Sequence, residues 1–213
     1  MNTEDMIRTM AADEMLEPPV ESALPRALAV GGLASVALFL VVLGPRPDLG
    51  EAFARSAVLL KPILGLALAG TATFAVLRAA RPGADPSHRL HMLWLAPTLA
   101  ALAIAGALWS LPPDRWATAI AGQPGSLLDC LLGVPLMSLP FLAAALHALR
   151  QGASLRPRLT GALAGLLGGG LGVVIYGFYC IEDSPLFYGV WYSVGVAVIT
   201  LLGASLGARV LRF

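Results

Sequence analysis

The stretch Tyr176-Gly-Phe-Tyr-Cys180-Ile-Glu182-Asp183-Ser-Pro-Leu-Phe187-Tyr188-Gly-Val-Trp191-Tyr192 decides the class of the fold. An apolar, glycine-rich run ends in a cysteine, two acids and a proline make a short polar turn, and a second apolar run opens with aromatics. Tyr and Trp favour the headgroup layer of a bilayer, so the stretch reads as the water-facing tip of a membrane helical hairpin. Cys180 then sits where the chain leaves the lipid. The other of the two cysteines, Cys130, stands at the start of the preceding apolar run.

Working outward, the rest of the chain has the same character. It is 57% hydrophobic and only 13% charged, with a mean hydropathy of +0.78, whereas about a quarter of a soluble domain is charged. A chain this apolar cannot hide its surface in one water-soluble core. Six runs, near 27–44, 57–77, 90–111, 131–149, 159–180 and 186–206, approach the roughly 20 residues that cross a bilayer. The expected fold is all-α: a polytopic membrane protein of six transmembrane helices with a short N-terminal cytoplasmic amphipathic helix. Arg8, Arg26, Arg78, Arg81, Arg89, Arg150, Arg156, Arg158, Arg209 and Arg212 fall on one side of these runs; Arg46, Arg55, Lys61 and Arg115 fall on the other. The positive-inside rule therefore places both termini in the cytoplasm and both cysteines on the outer face. The flank of the first run is acidic rather than basic and the run is too long for a signal peptide's apolar region, so an uncleaved helix is expected.

Residues 1 to about 25 differ from everything after them. Glu4, Asp5, Asp13, Glu14, Glu17 and Glu21 outnumber Arg8 and Arg26, and Asn2 or Thr3 precedes acids as a helix N-cap does. Met6, Ile7 and Met10 recur at helical spacing, giving an amphipathic helix with a methionine stripe. Pro18, Pro19 and Pro25 predict an extended connector after it. An acidic helix suits an anionic membrane poorly, since interfacial helices are usually rich in Lys and Arg. Adaptable methionines beside acids fit a basic protein partner better.

Inside the spans, Gly161, Gly165, Gly168, Gly169, Gly170 and Gly172, with Gly203 and Gly207 in the last run, have the spacing of small residues that let helices approach closely. Pro97, Pro135 and Pro140 predict kinks, and Trp94 and Trp109 read as interface anchors. Ion coupling and most membrane chemistry need ionisable groups at mid-depth. The ionisable Lys61, His91 and His147 all fall near the ends of runs, where a long side chain reaches the interface. No metalloprotease, nucleophile-elbow or phosphate-loop motif occurs, so neither catalysis nor a cofactor is expected. Two readings of the cysteines stay open. They are unrelated apolar residues, or they pair at an oxidising face as a disulfide or as thiolate ligands of a soft metal ion. A small transporter or channel, or the scaffold subunit of a larger complex, also remains open for the whole chain.

With these features assembled, the chain resembles the NrsF-like family of bacterial membrane anti-sigma factors over essentially its whole length. The resemblance is carried by Glu4-Asp-Met-Ile-Arg-Thr-Met-Ala-Ala-Asp13, Pro19-Val-Glu-Ser-Ala-Leu-Pro25, Cys130 before a proline-containing helix, Tyr179-Cys-Ile-Glu-Asp183, and Gly203-Ala-Ser-Leu-Gly-Ala-Arg209. It implies a bacterial inner-membrane protein whose cytoplasmic tail holds an extracytoplasmic-function sigma factor. By position the partner-binding role falls on Asp5, Met6, Ile7, Arg8, Met10 and Asp13. The resemblance also implies that Cys130 and Cys180 take part in responding to a metal or an oxidant outside. Here the connector carries Glu21 and Ser22 where a more basic, proline-rich continuation is expected.

Overall fold

The computed structural model describes residues 2–5, 8, 20–52, 54–81, 91–152 and 154–211. Six helices are long and apolar enough to cross a membrane, and no strand occurs among the described residues. They are α1 (Val20–Val42), α2 (Ser56–Ala79), α3 (Leu95–Ser110, entered through a 3-10 turn at His91–Trp94), α4 (Ser126–Leu149), α5 (Pro157–Tyr176) and α6 (Pro185–Val210). Among the described residues, the short helices Leu49–Ala52 and Trp116–Ala121 and a 3-10 turn at Pro113–Arg115 lie in the connections. Thr3–Asp5 and Arg8 are helical and exposed, with the Asn2 side chain accepting from the Thr3 N–H at 2.8 Å.

α5 is the axis of the bundle. Of its apolar window 67% is buried, against 11% for α3, and it packs on α6, α2 and α4. Its glycines explain why. A Cβ on Gly161 would lie 2.2 Å from the Gly203 carbonyl oxygen, and one on Gly165 would lie 2.6 Å from the Thr200 Cα. On the other flanks, a Cβ on Gly170 would meet the Ala69 nitrogen at 2.7 Å, and one on Gly168 the Leu142 nitrogen at 3.0 Å. Backbone therefore rests on backbone along three sides of one helix, which only residues without side chains permit. α1 packs chiefly on α4, where Ser35 Oγ donates to the Met137 carbonyl at 2.9 Å. α3 is peripheral, and Trp94 and Trp109 are strongly exposed.

Helix directions alternate, so the bundle has two distinct ends. At the cysteine end the loop after α1 meets the α5–α6 turn, with the Arg46 N–H donating to the Phe178 carbonyl. At the tail end Thr160, which opens α5, reaches the Ala79 carbonyl at the close of α2, and Glu21 at the start of α1 pairs with Arg81.

Several element ends differ from the sequence expectation. α1 begins at Val20, and Pro25 lies inside it rather than in an extended connector. Near a helix start proline removes at most one ladder hydrogen bond, while helical geometry buries Leu24 among residues of the core that includes Val76, Ala79 and Leu211. Pro18 and Pro19 lie outside the described residues. α4 starts at Ser126, so Cys130 is one turn inside the helix; α5 ends at Tyr176, so Cys180 lies beyond its helix in the turn. Tyr176, Tyr188 and Tyr192 are buried among other residues of the protein.

The glycine contacts generate a graded prediction. Gly165→Val should lower the thermal midpoint of the detergent-purified protein sharply or abolish its single size-exclusion peak. Gly70→Ala, whose Cβ meets nothing within 4 Å, should leave the midpoint unchanged or raise it, since Ala outranks Gly in a helix by about 1 kcal/mol.

Candidate functional site

At the cysteine end, the site begins with the exit from α1. Gly44, with a φ of 74°, closes the helix as its N–H and that of Leu43 both donate to the Phe39 carbonyl; a positive φ is what glycine adopts freely. The chain then passes through Pro45 without regular structure and places the Arg46 side chain inward, where it is only 5% exposed. Its guanidinium is held by both oxygens of Asp48, at 2.7 and 2.8 Å. It also donates to Asp183 Oδ1 at 2.9 Å and to the Cys180 carbonyl at 3.2 Å.

Lys61 approaches the same acceptors from α2. Its Nζ donates to the Cys180 carbonyl at 3.0 Å and to Asp183 Oδ1 at 2.9 Å, and the residue is 0% exposed. This corrects the expectation that Lys61 reaches out to the interface. Its ammonium also lies 5.8 Å from the Tyr188 ring centre, a distance at which the ring face favours a cation. Arg55 adds an exposed contact to Asp183 Oδ2 at 3.0 Å. Three cations thus converge on one carboxylate, and two of them also hold the backbone carbonyl of Cys180.

Burial pushes the Asp183 carboxyl up, but the hydrogen bonds and charges of Arg46 and Lys61 outweigh it and hold the carboxyl below the ordinary Asp range. The hydrogen bond from Arg46 is the main reason the Asp48 carboxyl is lowered as well. Asp48 in turn raises Arg46, so the guanidinium stays charged.

Cys130 and Cys180 are both free thiols. They belong to one buried cluster with Met137, Tyr176, Phe187 and Tyr192, in which the Tyr176 and Tyr192 rings meet edge to face at 5.7 Å. Access to the two differs. A cavity of about 260 Å³, lined by residues including Arg46, Ser126, Asp129, Tyr179 and Cys180, reaches Cys180. Cys130 is 0% exposed and is not part of that lining. The turn between α5 and α6 is tied to the start of α4 as well: Glu182 accepts from the Gln123 N–H at 2.7 Å and from Ser126 Oγ at 3.0 Å. Trp191 Nε1 donates to the Ile120 carbonyl at 2.8 Å. Among the described residues no three His, Cys, Asp or Glu side chains form a metal cluster, so a soft ion here would rest on the two thiols.

The sequence-based site residues thus fall in two places. Cys130 and Cys180 come together at one end. Asp5 and Arg8 are exposed on the N-terminal helical segment; Met6, Ile7, Met10 and Asp13 lie outside the described residues. Sequence reasoning missed the ionic cluster of Arg46, Asp48, Lys61 and Asp183. A signal for it was present, because Arg46, Arg55 and Lys61 are three of the few cations on the side that the positive-inside rule leaves poor in them.

A family model described as NrsF, negative regulator of sigma F, matches residues 11–213. The chain belongs to the NrsF family. The anti-sigma-F factor NrsF of Caulobacter vibrioides is 37% identical over 218 residues, covering 100% of both chains. The probable anti-sigma-F factor NrsF of Azospira oryzae is 35% identical over 216 residues, again covering 100% of both. No solved structure matches the chain.

Two outcomes test the site. A small thiol-specific reagent should label Cys180 well before Cys130 in the native protein, as mass spectrometry of timed aliquots would show; equal rates would contradict the difference in access. For the ionic cluster, Asp48 and Asp183 titrate lower in the fold than in the unfolded chain, where Asp titrates near 4. Their stabilising contribution is therefore complete above about pH 4 and is lost as the pH falls through their lowered folded values. Denaturation midpoints should hold between pH 7 and 5 and drop below about pH 4. Asp183→Asn should flatten that drop while costing about 3–5 kcal/mol at neutral pH, because it strips the carboxylate from buried cations.

Proposed function

We propose that this protein is a membrane-embedded anti-sigma factor whose N-terminal tail holds an extracytoplasmic-function sigma factor at the inner membrane and gives it up when the cysteine pair is modified. Family membership and the names of the relatives support the regulatory role. The charge asymmetry of the connections supports a topology with both termini in the cytoplasm and the cysteine end outside.

One observation carries the reading: two free thiols, buried in a single cluster at the end of the bundle opposite the tail, with one of them open to a cavity. An oxidant drawing two electrons and two protons from that pair would leave a disulfide. A soft metal ion would displace the two protons and bridge the sulfurs. Either change joins α4 to the α5–α6 turn at a point held by Arg46 and Lys61. At the other end, the acids of the tail complement the basic faces with which sigma factors contact DNA, and Met6, Ile7 and Met10 supply apolar contact. No catalytic step enters this reading.

The test is sigma-dependent transcription measured beside the membrane level of the protein. Met6→Glu or Met10→Glu should raise uninduced transcription several-fold with the protein level intact; unchanged transcription would remove the tail from the reading. Replacing both cysteines by serine should leave uninduced transcription low and abolish induction by a thiol oxidant or a cadmium salt. A wild-type response in that variant would reduce the thiols to packing residues.

A further inference from the structure

The end of the bundle that carries the thiols and the end from which the tail leaves are separated by the full length of the helices. α2 touches the critical group at both. Near its start, Lys61 is completely buried and spends its ammonium on the carbonyl of Cys180 itself and on Asp183, three residues further on. Just past its close, Arg81 pairs with Glu21 at the root of the tail. Beside that pair, a Cβ on Gly152 would lie 2.9 Å from Val20 Cγ2 and 3.1 Å from the Ala80 carbonyl oxygen, so the first residue of α1, the end of α2 and the α4–α5 connection meet at one point.

We propose that α2 is the link through which the state of Cys180 reaches the tail, with Lys61 as the positioning residue at the thiol end and the Arg81–Glu21 pair as the positioning contact at the tail end. The inference rests on the anti-sigma reading above and names the regulation of the same site. It follows from the unequal strength of the two holds. A buried ammonium cannot lose its acceptors without a large desolvation penalty, so when the Cys180 turn rearranges, Lys61 and the helix bearing it must follow. An exposed ion pair is worth little and yields readily, and α1 otherwise packs chiefly on α4 rather than on α2. Over its 24 residues α2 spans about 36 Å. Along that length it lies against α5 through a glycine contact, a Cβ on Gly65 falling 2.7 Å from the Gly170 carbonyl oxygen. Val174 Cγ2 and Val173 Cγ1 lie at 3.0 and 3.1 Å from the same point, so a movement of α2 along α5 takes the form of a small shear between packed helices.

The experiment uses the full-length protein in cells that carry a reporter of sigma-dependent transcription, with the thiol oxidant diamide as the probe and membrane protein level measured throughout. Lys61→Met should raise uninduced transcription several-fold, toward the diamide-treated wild-type level, and leave little further rise on adding diamide. Arg81→Glu, which sets two like charges at the root, should do the same. The double variant Glu21→Arg with Arg81→Glu should restore both the low uninduced level and the induction, a rescue that a merely structural disturbance would not show. Low transcription and full induction in Lys61→Met, or failure of the charge swap to rescue with the protein present at wild-type level, overturns the proposal. Should Lys61→Met fail to accumulate in the membrane, the charge swap alone decides. Deleting residues 2–19 separates the two layers of argument. If that deletion leaves transcription low, the anti-sigma reading itself fails; if it raises transcription while the point variants behave as wild type, only the role of α2 fails.

Discussion

Backbone-to-backbone contact along α5 is the constraint on which the rest of the bundle depends. In lipid, burial of apolar side chains does not distinguish a neighbouring helix from an acyl chain, so close approach and dispersion must hold the helices together. Gly161 and Gly165 toward α6, Gly168 toward α4 and Gly170 toward α2 give that approach on three sides. The consequence reaches both ends. Because α2 and α6 are fixed against the same helix, Lys61 arrives beneath the turn that closes α5, and Arg81 arrives beside the root of α1. α1 and α3 lack such a contact with α5: α1 packs on α4 instead, and α3 is left at the edge.

The ionic cluster is the costly part of the design. Arg46 and Lys61 are removed from solvent, and the geometry that compensates is dense: bidentate contact to Asp48, shared contact to Asp183 and a backbone carbonyl between them. A buried network of this kind seldom adds net stability over an apolar replacement. Its effect is specificity of position. It fixes the 180–183 turn, and with it the access to Cys180, to the first loop and to α2 at once.

Six spans were legible because length and hydropathy alone select them, and the alternation of spans was enough to bring Cys130 and Cys180 to one end. The glycines of 161–172 were legible as packing residues, though not their partners, since spacing along one helix does not say which neighbour faces it. Helix ends were less legible. Leu24 is buried only because residues of other helices are there to receive it, and Pro25 therefore looked like a terminator from sequence and is not one. The ionic cluster was hidden for a related reason: Lys61 and Asp183 are 122 positions apart and Arg46 and Asp183 are 137 apart. The burial of the aromatics was not legible either, since Tyr176, Tyr188 and Tyr192 suit a headgroup layer as well as the core they line. Nothing in local pattern separates those two surroundings.

The order in which the chain is made gives the packing of α1 a further meaning. α1 and the tail leave the ribosome first, yet the hydrogen bond that seats α1 joins Ser35 to Met137, 102 positions later. At about 5–20 residues per second, α1 waits roughly 5–20 s for its partner. The tail is thus made before the bundle that follows it in the chain. The seating of α1 on α4 is therefore completed only once the second half of the chain has been made.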